Sequence, residues 1–264
     1  HNGLGKLLRD KGELGKAEAA YREAIRLDPK YAYSHNGLGN LLRDKGDLVG
    51  AEAAYREAIR LDPKSAVPHN GLGNLLRDKG ELGKAEAAYR EAIRLDPKSA
   101  LPHNGLGNLL HDKGELGKAE AAYREAIRLA PKSALPHYGL GRALSKKGEL
   151  GGAEAAYREA IRLDPKSAPP HNGLGHVYES RLELDVAEAS YREAVQLNPR
   201  YAIAHANLGD VYRKQGRHAD AVAAYRAALA LQPNLGYARD GLDYCERVLR
   251  GEVPTAPPPR AVAR

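Results

Sequence analysis

Tryptophan, phenylalanine and methionine are absent from all 264 residues, and cysteine occurs once, as Cys245. A single cysteine excludes an internal disulfide and any zinc cluster built on thiolates. It also makes a reducing compartment the simpler expectation. No uncharged apolar run approaches the roughly 18 residues of a membrane-spanning helix, and no secretory leader pattern opens the chain. No Asn-x-Ser/Thr acceptor occurs. These absences lead to the expectation of a soluble intracellular protein, in the cytoplasm or an organelle interior, without membrane insertion. Methionine is missing even at position 1, so the chain is expected to begin inside something longer, after processing, or at a boundary. Charged residues make up 28%, near the soluble average, so neither bulk disorder nor a collagen-like fibre fits. The aromatic content rests on 15 tyrosines.

What the chain has instead is repetition, and self-comparison settles the architecture before any helix is assigned. His69 to Pro102 reads HNGLGNLLRDKGELGKAEAAYREAIRLDPKSALP. The next 34 residues differ from it only at His111, for Arg77, and Ala130, for Asp96. The period restarts at His1, His35, His69, His103, His137, His171 and His205, and seven copies cover residues 1–238. A degenerate half-copy, RDGLDYCERVLRG, follows from Arg239, and the last residues are rich in Pro and Ala.

The apolar spacing within a copy is helical. Leu72, Leu75 and Leu76 mark a first helix; Leu82, Ala85, Tyr89, Ala92, Ile93 and Leu95 mark a second. Gly80 stands where the chain takes the left-handed conformation past a helix end. Pro97 closes the second helix, and Pro68 is expected at the first position of the first, where its missing N–H costs nothing. Neither helix buries its apolar face alone, but stacked copies cover one another and form a solenoid with one continuous core. Small residues (Gly73, Ala85, Ala92 and their equivalents) stand where helices must approach closely.

These residues resemble the tetratricopeptide repeat, a 34-residue helix–turn–helix unit with a W-x₂-L-G-x₂-Y…A-x₃-F…P pattern. In that frame a repeat starts three residues before its His. The copy from Ala66 puts His69 at the Trp position, Leu72-Gly73 at Leu-Gly, Leu76 at the Tyr, Ala85 and Tyr89 at the A-x₃-aromatic step, then Ala92 and Pro97. The match recurs in all seven copies and spans about nine-tenths of the chain. It implies an all-α, right-handed α-solenoid of antiparallel helix pairs over 1–250, with repeats starting near 1, 32, 66, 100, 134, 168 and 202. A capping helix is expected at 237–250, with Arg239, Asp240, Asp243, Glu246, Arg247 and Arg250 outward, and a Pro/Ala-rich tail at 251–264. The first repeat begins at its fourth position, so its first helix is uncapped, end-to-end self-association is open to it, and repeats are expected to continue upstream.

The resemblance also implies that the first helices line a concave groove, with the fifth, ninth, twelfth and thirteenth repeat positions facing it. Repeats two to four then offer Asn36, Asn40, Arg43 and Asp44; Asn70, Asn74, Arg77 and Asp78; and Asn104, Asn108, His111 and Asp112. A carboxamide both donates and accepts, so such a ladder could hold an extended peptide backbone in either sense, while the arginines favour acidic contacts. The competing view is that these are solvated residues copied with everything else. Repeats five to seven diverge at the same positions: Tyr138, Arg142, Ser145 and Lys146; Asn172, His176, Glu179 and Ser180; Ala206, Asp210, Arg213 and Lys214, with Asn207 between. Selectivity is expected there, with Tyr138 an aromatic anchor and Arg142, His176 and Arg213 tuning it.

The two-carboxylate clamp of heat-shock co-chaperones is not matched. It requires Lys at the fifth position, which none of these copies has, and Asn at the sixth, which is Gly in six copies (Gly37, Gly71 and equivalents) and Asn207 in the last. The asparagine-lined arrays of O-linked N-acetylglucosamine transferases are a partial likeness, since their Asn also stands at the sixth position.

Several apparent chemical signals dissolve on inspection. Ligating His nitrogens lie about 2.0–2.1 Å from an ion, whereas packed helices are about 8–10 Å apart, so one His per repeat cannot chelate along the stack. These His are expected to be half-buried between units. Gly80-Glu-Leu-Gly83-Lys84 lacks the spacing and the Ser/Thr of a phosphate loop, and Gly71-Leu-Gly73 lacks the third Gly of a dinucleotide fingerprint. No nucleophile–base motif occurs. No catalytic residue, metal or cofactor is therefore expected. The net charge of +7 is spread evenly, six cations against five anions in residues 69–102, with Glu86 and Arg90 an i, i+4 pair. That pattern describes a mixed solvated face rather than a nucleic-acid stripe. The expected function is a non-catalytic interaction scaffold whose partner is a protein or peptide, more easily an acidic one. The alternatives are the recruiting arm of a larger, glycosyltransferase-like enzyme, or a structural subunit of a large assembly.

Overall fold

The computed structural model describes residues 1–252; the predicted tail lies, from 253 on, outside the described residues. Fifteen helices and no strand occur among the described residues. The first helices of successive repeats are α1 (Asn2–Asp10), α3 (Ala32–Asp44), α5 (Ala66–Asp78), α7 (Ala100–Asp112), α9 (Ala134–Lys147), α11 (Ala168–Ser180) and α13 (Ala202–Lys214). The second helices are α2 (Leu14–Leu27), α4 (Leu48–Leu61), α6 (Leu82–Leu95), α8 (Leu116–Leu129), α10 (Leu150–Leu163), α12 (Leu184–Leu197) and α14 (His218–Leu231). The closing helix α15 runs Gly236–Leu249, one residue earlier than expected, and buries Ala238, Gly241 and Cys245. Two compact units, His1–Pro131 and Lys132–Arg264, divide the chain.

Turn chemistry explains the helix ends. Gly80 has φ +76°, as do its equivalents Gly12, Gly46, Gly114, Gly148 and Gly216 within a few degrees. The sixth repeat puts Leu182 there, at φ +62° and 76% exposed. A Cβ in that conformation costs about 1–2 kcal/mol, and the exposed side chain returns nothing. Leu182→Gly is therefore expected to stabilise the protein by about 1 kcal/mol, read as a raised midpoint in urea; an unchanged or lower midpoint would refute the strain. Pro68 differs from expectation. The helix starts at Ala66 after Ser65, so Pro68 occupies the third helical position, still within the first turn whose N–H groups have no partner in the helix.

Within each unit the two kinds of helix pack differently. In the first, α1 touches α3, α3 touches α5 and α5 touches α7, while no two of α2, α4, α6 and α8 come within 8 Å between Cα atoms. In the second, α9, α11, α13 and α15 touch in the same sequence, and α10, α12 and α14 stay apart. Closer spacing on one side bends each unit toward its first helices, which makes theirs the inner face.

Tyrosine and glycine set that spacing. The Tyr89 ring is fully buried. A Cβ on Gly73, in its own repeat, would stand 2.8 Å from it, and a Cβ on Gly105, in the next, 2.4 Å. Tyr55 meets Gly39 and Gly71 in the same way, Tyr157 meets Gly141 and Gly173, and Tyr225 meets Gly209 and Gly241. Each ring is a wedge with a glycine on either side, one of them belonging to the next first helix. The sixth-position glycine of the sequence pattern is thus the seat for the preceding repeat's ring.

Outside this core, ion pairs repeat at a separation of 27 residues. Lys45 meets Glu18, Lys79 meets Glu52 at 2.7 Å and Lys113 meets Glu86 at 2.7 Å. In the second unit Arg181 meets Glu154 at 2.6 Å at the same separation, and Arg217 meets Glu188, 29 residues away, at 2.9 Å. Such exposed pairs are worth little singly, about 0–1 kcal/mol, but each ties a second helix to the turn of the repeat that follows. Glu86 also binds Arg90 as expected.

Candidate partner-binding face

The asparagines of the inner face fall into two kinds. Those at the ninth position are structural. The Oδ1 of Asn40, Asn74 and Asn108 accepts the hydroxyl hydrogen of Tyr55, Tyr89 and Tyr123 at 2.7, 2.7 and 2.8 Å. One lone pair of each acceptor is thus given to a wedge, which leaves the amide donors and the second lone pair for a partner. Those at the fifth position differ. The Oδ1 atoms of Asn36, Asn70 and Asn104 are buried and have no hydrogen-bond partner, and Asn36 as a whole is 6% exposed. Buried polar atoms are almost always paired, so an unfilled acceptor at the same place in three successive repeats is a feature to explain.

One turn earlier on the same helices, the second position carries exposed apolar side chains: Tyr33 (50%), Val67 (57%) and Leu101 (67%) in the first unit, with Leu135 and Ile203 in the second. Two turns later the twelfth-position arginines are already occupied. Arg9 lies 3.5 Å from Asp44, Arg43 3.9 Å from Asp78 and Arg77 3.9 Å from Asp112. The first unit's Arg43 and Arg77 are therefore neutralised by the neighbouring repeat's aspartate, and His111 stands 3.6 Å from Asp112.

The second unit is built otherwise. Tyr138 packs against Tyr157, ring centroids 6.0 Å apart, and the Arg142 guanidinium lies 5.9 Å from the Tyr138 ring centre. Asn207 donates to Asn172 Oδ1 at 2.8 Å, so these two amides are bonded across neighbouring repeats. His176 is exposed. Arg213 reaches Asp210 at 3.4 Å and lies 6.0 Å from the Tyr244 ring centre. Two carboxylates, Glu179 and Asp210, are only 4% and 3% exposed. Tyr191 and Lys214 bind Glu179 at 2.7 and 2.9 Å, and Tyr225 donates to Asp210 at 2.6 Å. The acids of this face are internal, whereas Lys146 and Lys214 are exposed.

Six of the seven repeated His, from His35 to His205, are half-buried as expected, and His1 is exposed. Burial lowers the pKa of His69 and His103, and the Nε2 of His35 and His205 lies 3.0 and 2.9 Å from the carbonyls of Pro29 and Pro199. No cluster of three metal-ligating side chains occurs among the described residues, and none of the described helices is long and apolar enough to cross a membrane. The outer face holds a shallow slot of about 560 Å³ between α4 and α6, floored by Ile59, Leu72, Leu76 and Ala88. Its rim charges Arg56, Arg60, Lys84 and Glu91 are paired within their own neighbourhoods. A deeper feature lies between repeats two and three, a pocket of about 310 Å³ walled by Tyr31, Tyr33, Asn36, Leu61, Val67 and Pro68. The first-unit candidates did not include Tyr31 and Tyr33. The available signal was the departure of Tyr31-Ala32-Tyr33 from the Ser-Ala-Val or Ser-Ala-Leu of the next three copies.

Comparison with known proteins agrees with this geometry. Residues 2–199 match the family described as the cilia and flagella-associated protein 70 C-terminal domain, and residues 172–235 match a tetratricopeptide repeat family. No curated protein sequence matches the chain. Among solved structures, a chain of the APC/C hetero-tetramer Cut9–Hcn1 is similar at 22% identity and TM-score 0.81, over 90% of this chain and 47% of that one; this chain thus spans about half its length. YrrB, described as a TPR protein with an unusual peptide-binding site, is similar at 25% identity and TM-score 0.54, over 71% of this chain and 97% of that one. PilF of Pseudomonas aeruginosa is similar at 18% identity and TM-score 0.71, over 83% and 98%. With three-quarters of its length inside the first match and the wedge-and-seat arrangement recurring in both units, the chain belongs to the family of the cilia and flagella-associated protein 70 C-terminal domain and is a tetratricopeptide repeat protein.

Proposed function

We propose that this protein is a non-catalytic scaffold that holds an extended segment of a protein partner along the inner face of its repeats. The tetratricopeptide fold is a protein-interaction scaffold, and a protein or peptide partner fits the solved relatives, one in a multisubunit complex and one with a peptide-binding site. The observation that carries the finer reading is the row of unfilled acceptors at Asn36, Asn70 and Asn104, flanked by exposed Tyr33, Val67 and Leu101. Packed helices stand about 8–10 Å apart, and an extended chain advances about 3.3 Å per residue. Every third residue of a partner strand therefore meets the next repeat, where a backbone N–H can reach an amide acceptor and a side chain can lie on the apolar row. Acidic residues of the partner belong against repeats five to seven. There Lys146 is exposed, while Lys214 is held by the buried Glu179 at 2.9 Å and Asp210 is buried beneath.

Random extended peptides selected on the wild-type protein test this reading. Asn36→Ala, Asn70→Ala and Asn104→Ala together remove only amides whose acceptors hold nothing in the chain, so the melting curve is expected to stay put. Affinity for the selected peptides is expected to fall at least about tenfold, one tenfold step corresponding to 1.4 kcal/mol. Unchanged affinity of the folded triple variant would overturn the reading.

A further inference from the structure

We infer that the pocket between repeats two and three is an anchor site for a tryptophan side chain of an acidic partner segment. The inference rests on the proposed role of the inner face. Three features of the pocket point to that chemistry.

The walls are apolar and aromatic. Tyr31 and Tyr33 are both about half exposed, with ring centroids 6.1 Å apart and planes tilted by 39°. Opposite them stand Leu61, Val67 and Pro68. At about 310 Å³ the pocket sits at the lower end of small-ligand sites, about 300–1,000 Å³, a size for one ring system rather than a whole ligand. Aromatic pairs in tilted or edge-on contact add about 0.5–1.5 kcal/mol beyond their buried area.

The wall also carries one polar group with nothing to bind. Asn36 lines the pocket, is more than nine-tenths buried, and its Oδ1 has no partner. The terminal amide torsion of Asn is broad, so a small rotation presents the acceptor to an occupant. Of the aromatic side chains, tryptophan alone is a donor only, through its indole N–H. Phenylalanine leaves the acceptor unfilled, and tyrosine brings a further acceptor.

The mouth supplies charge. Lys30 and Asp62 both border the pocket. Asp62 Oδ1 accepts the Lys64 N–H at 3.2 Å, whereas Lys30 makes no ion pair among the described residues and is exposed. A carboxylate next to the buried ring meets Lys30 at the rim. The neighbouring repeats lack this combination, because Ser65 and Ser99 stand where Tyr31 does, and Val67 and Leu101 where Tyr33 does.

The protein's lack of tryptophan makes the test direct, since all tryptophan emission comes from the probe. The probe is the capped tripeptide acetyl-Glu-Trp-Glu-amide, titrated with the full chain. A saturable blue shift is expected, with binding about tenfold weaker to Tyr31→Ala and to Tyr33→Ala. Both rings are exposed enough for the variants to fold, which far-UV circular dichroism checks. Methylation of the probe's indole nitrogen is expected to weaken binding to the wild type and to make no difference with Asn36→Ala. No saturation at millimolar probe, or binding to both tyrosine variants as tight as to the wild type, overturns the anchor. That result leaves the inner-face reading standing if selected peptides still respond to the triple asparagine variant. Conversely, a tripeptide bound in the pocket beside selected peptides indifferent to those asparagines retains the anchor and removes the extended-strand reading.

Discussion

Raising the pH from 10 to about 12 is expected to remove most of the protein's stability. In the first unit burial pushes the phenols of Tyr55 and Tyr89 up to about 12, and both rings are fully buried. Burial also raises Tyr157 and Tyr225, the latter with help from the Asp210 carboxylate. In the unfolded chain a phenol titrates near pH 10. Between these values the unfolded state has lost protons that the folded state keeps. Unfolding then releases protons, and stability falls as pH rises. The contribution is fully present below pH 10 and is lost as pH climbs through the folded value. Each of Tyr55 and Tyr89 accounts for about 2.7 kcal/mol over that span, at about 1.36 kcal/mol for each pH step. Two such losses rival a typical net stability of about 5–15 kcal/mol. Far-UV circular dichroism in urea, repeated across this range, measures the effect. A Tyr55→Phe, Tyr89→Phe variant separates the phenols from the lysines that titrate nearby. At neutral pH it loses two hydrogen bonds to Asn40 and Asn74, about 1 kcal/mol each, yet its decline above pH 10 is expected to be shallower. Parallel curves for the two proteins would sink the account.

The sequence made the helix pairs legible because two independent signals coincide, a period of 34 residues and apolar spacing of 3.6 within it. It also exposed the left-handed Gly80, because only a turn after a helix end asks for that residue there. The roles of the asparagines were not legible. Asn36 and Asn40 lie one turn apart on one helix, and a pattern gives both the same solvent-facing reading. What separates them is tertiary: the hydroxyl of Tyr55, fifteen residues away, ends at Asn40, while nothing in the chain arrives at Asn36 Oδ1. The pairing of the arginines was hidden for a similar reason. Arg43 reads as a groove cation until Asp78 of the next repeat is brought 3.9 Å from it. Near-identity of the copies also draws attention to what recurs, so Tyr31 and Tyr33, which recur nowhere nearby, were passed over although they wall the pocket.

Gly105→Val is expected to cost about 3 kcal/mol, at the upper end for overpacking a core. Gly105 lies in α7, where a Cβ alone would come within 2.4 Å of the Tyr89 ring. The ring cannot turn away, because Gly73 holds its other side, where a Cβ would stand at 2.8 Å, and Asn74 holds its hydroxyl at 2.7 Å. The substitution must therefore lift α7 from α6. Stability in a stacked array is carried between neighbours, so hydrogen exchange is expected to rise first on either side of that junction. Gly83→Val is the control, since nothing lies within 4 Å of a Cβ there; it is expected to change stability by less than about 0.5 kcal/mol. The decisive measurement is the double-mutant cycle with Tyr89→Ala. Removing the ring alone opens a cavity, at about 3–5 kcal/mol on the scale of large aromatic truncations. It also empties the space that the valine would strike. If ring and glycine form one wedge and seat, the double variant is less destabilised than the sum of the singles by at least about 1 kcal/mol. Additivity within about 0.5 kcal/mol would mean that the repeats are not spaced by this contact. The sixth-position glycines would then need another explanation than the ring of the preceding repeat.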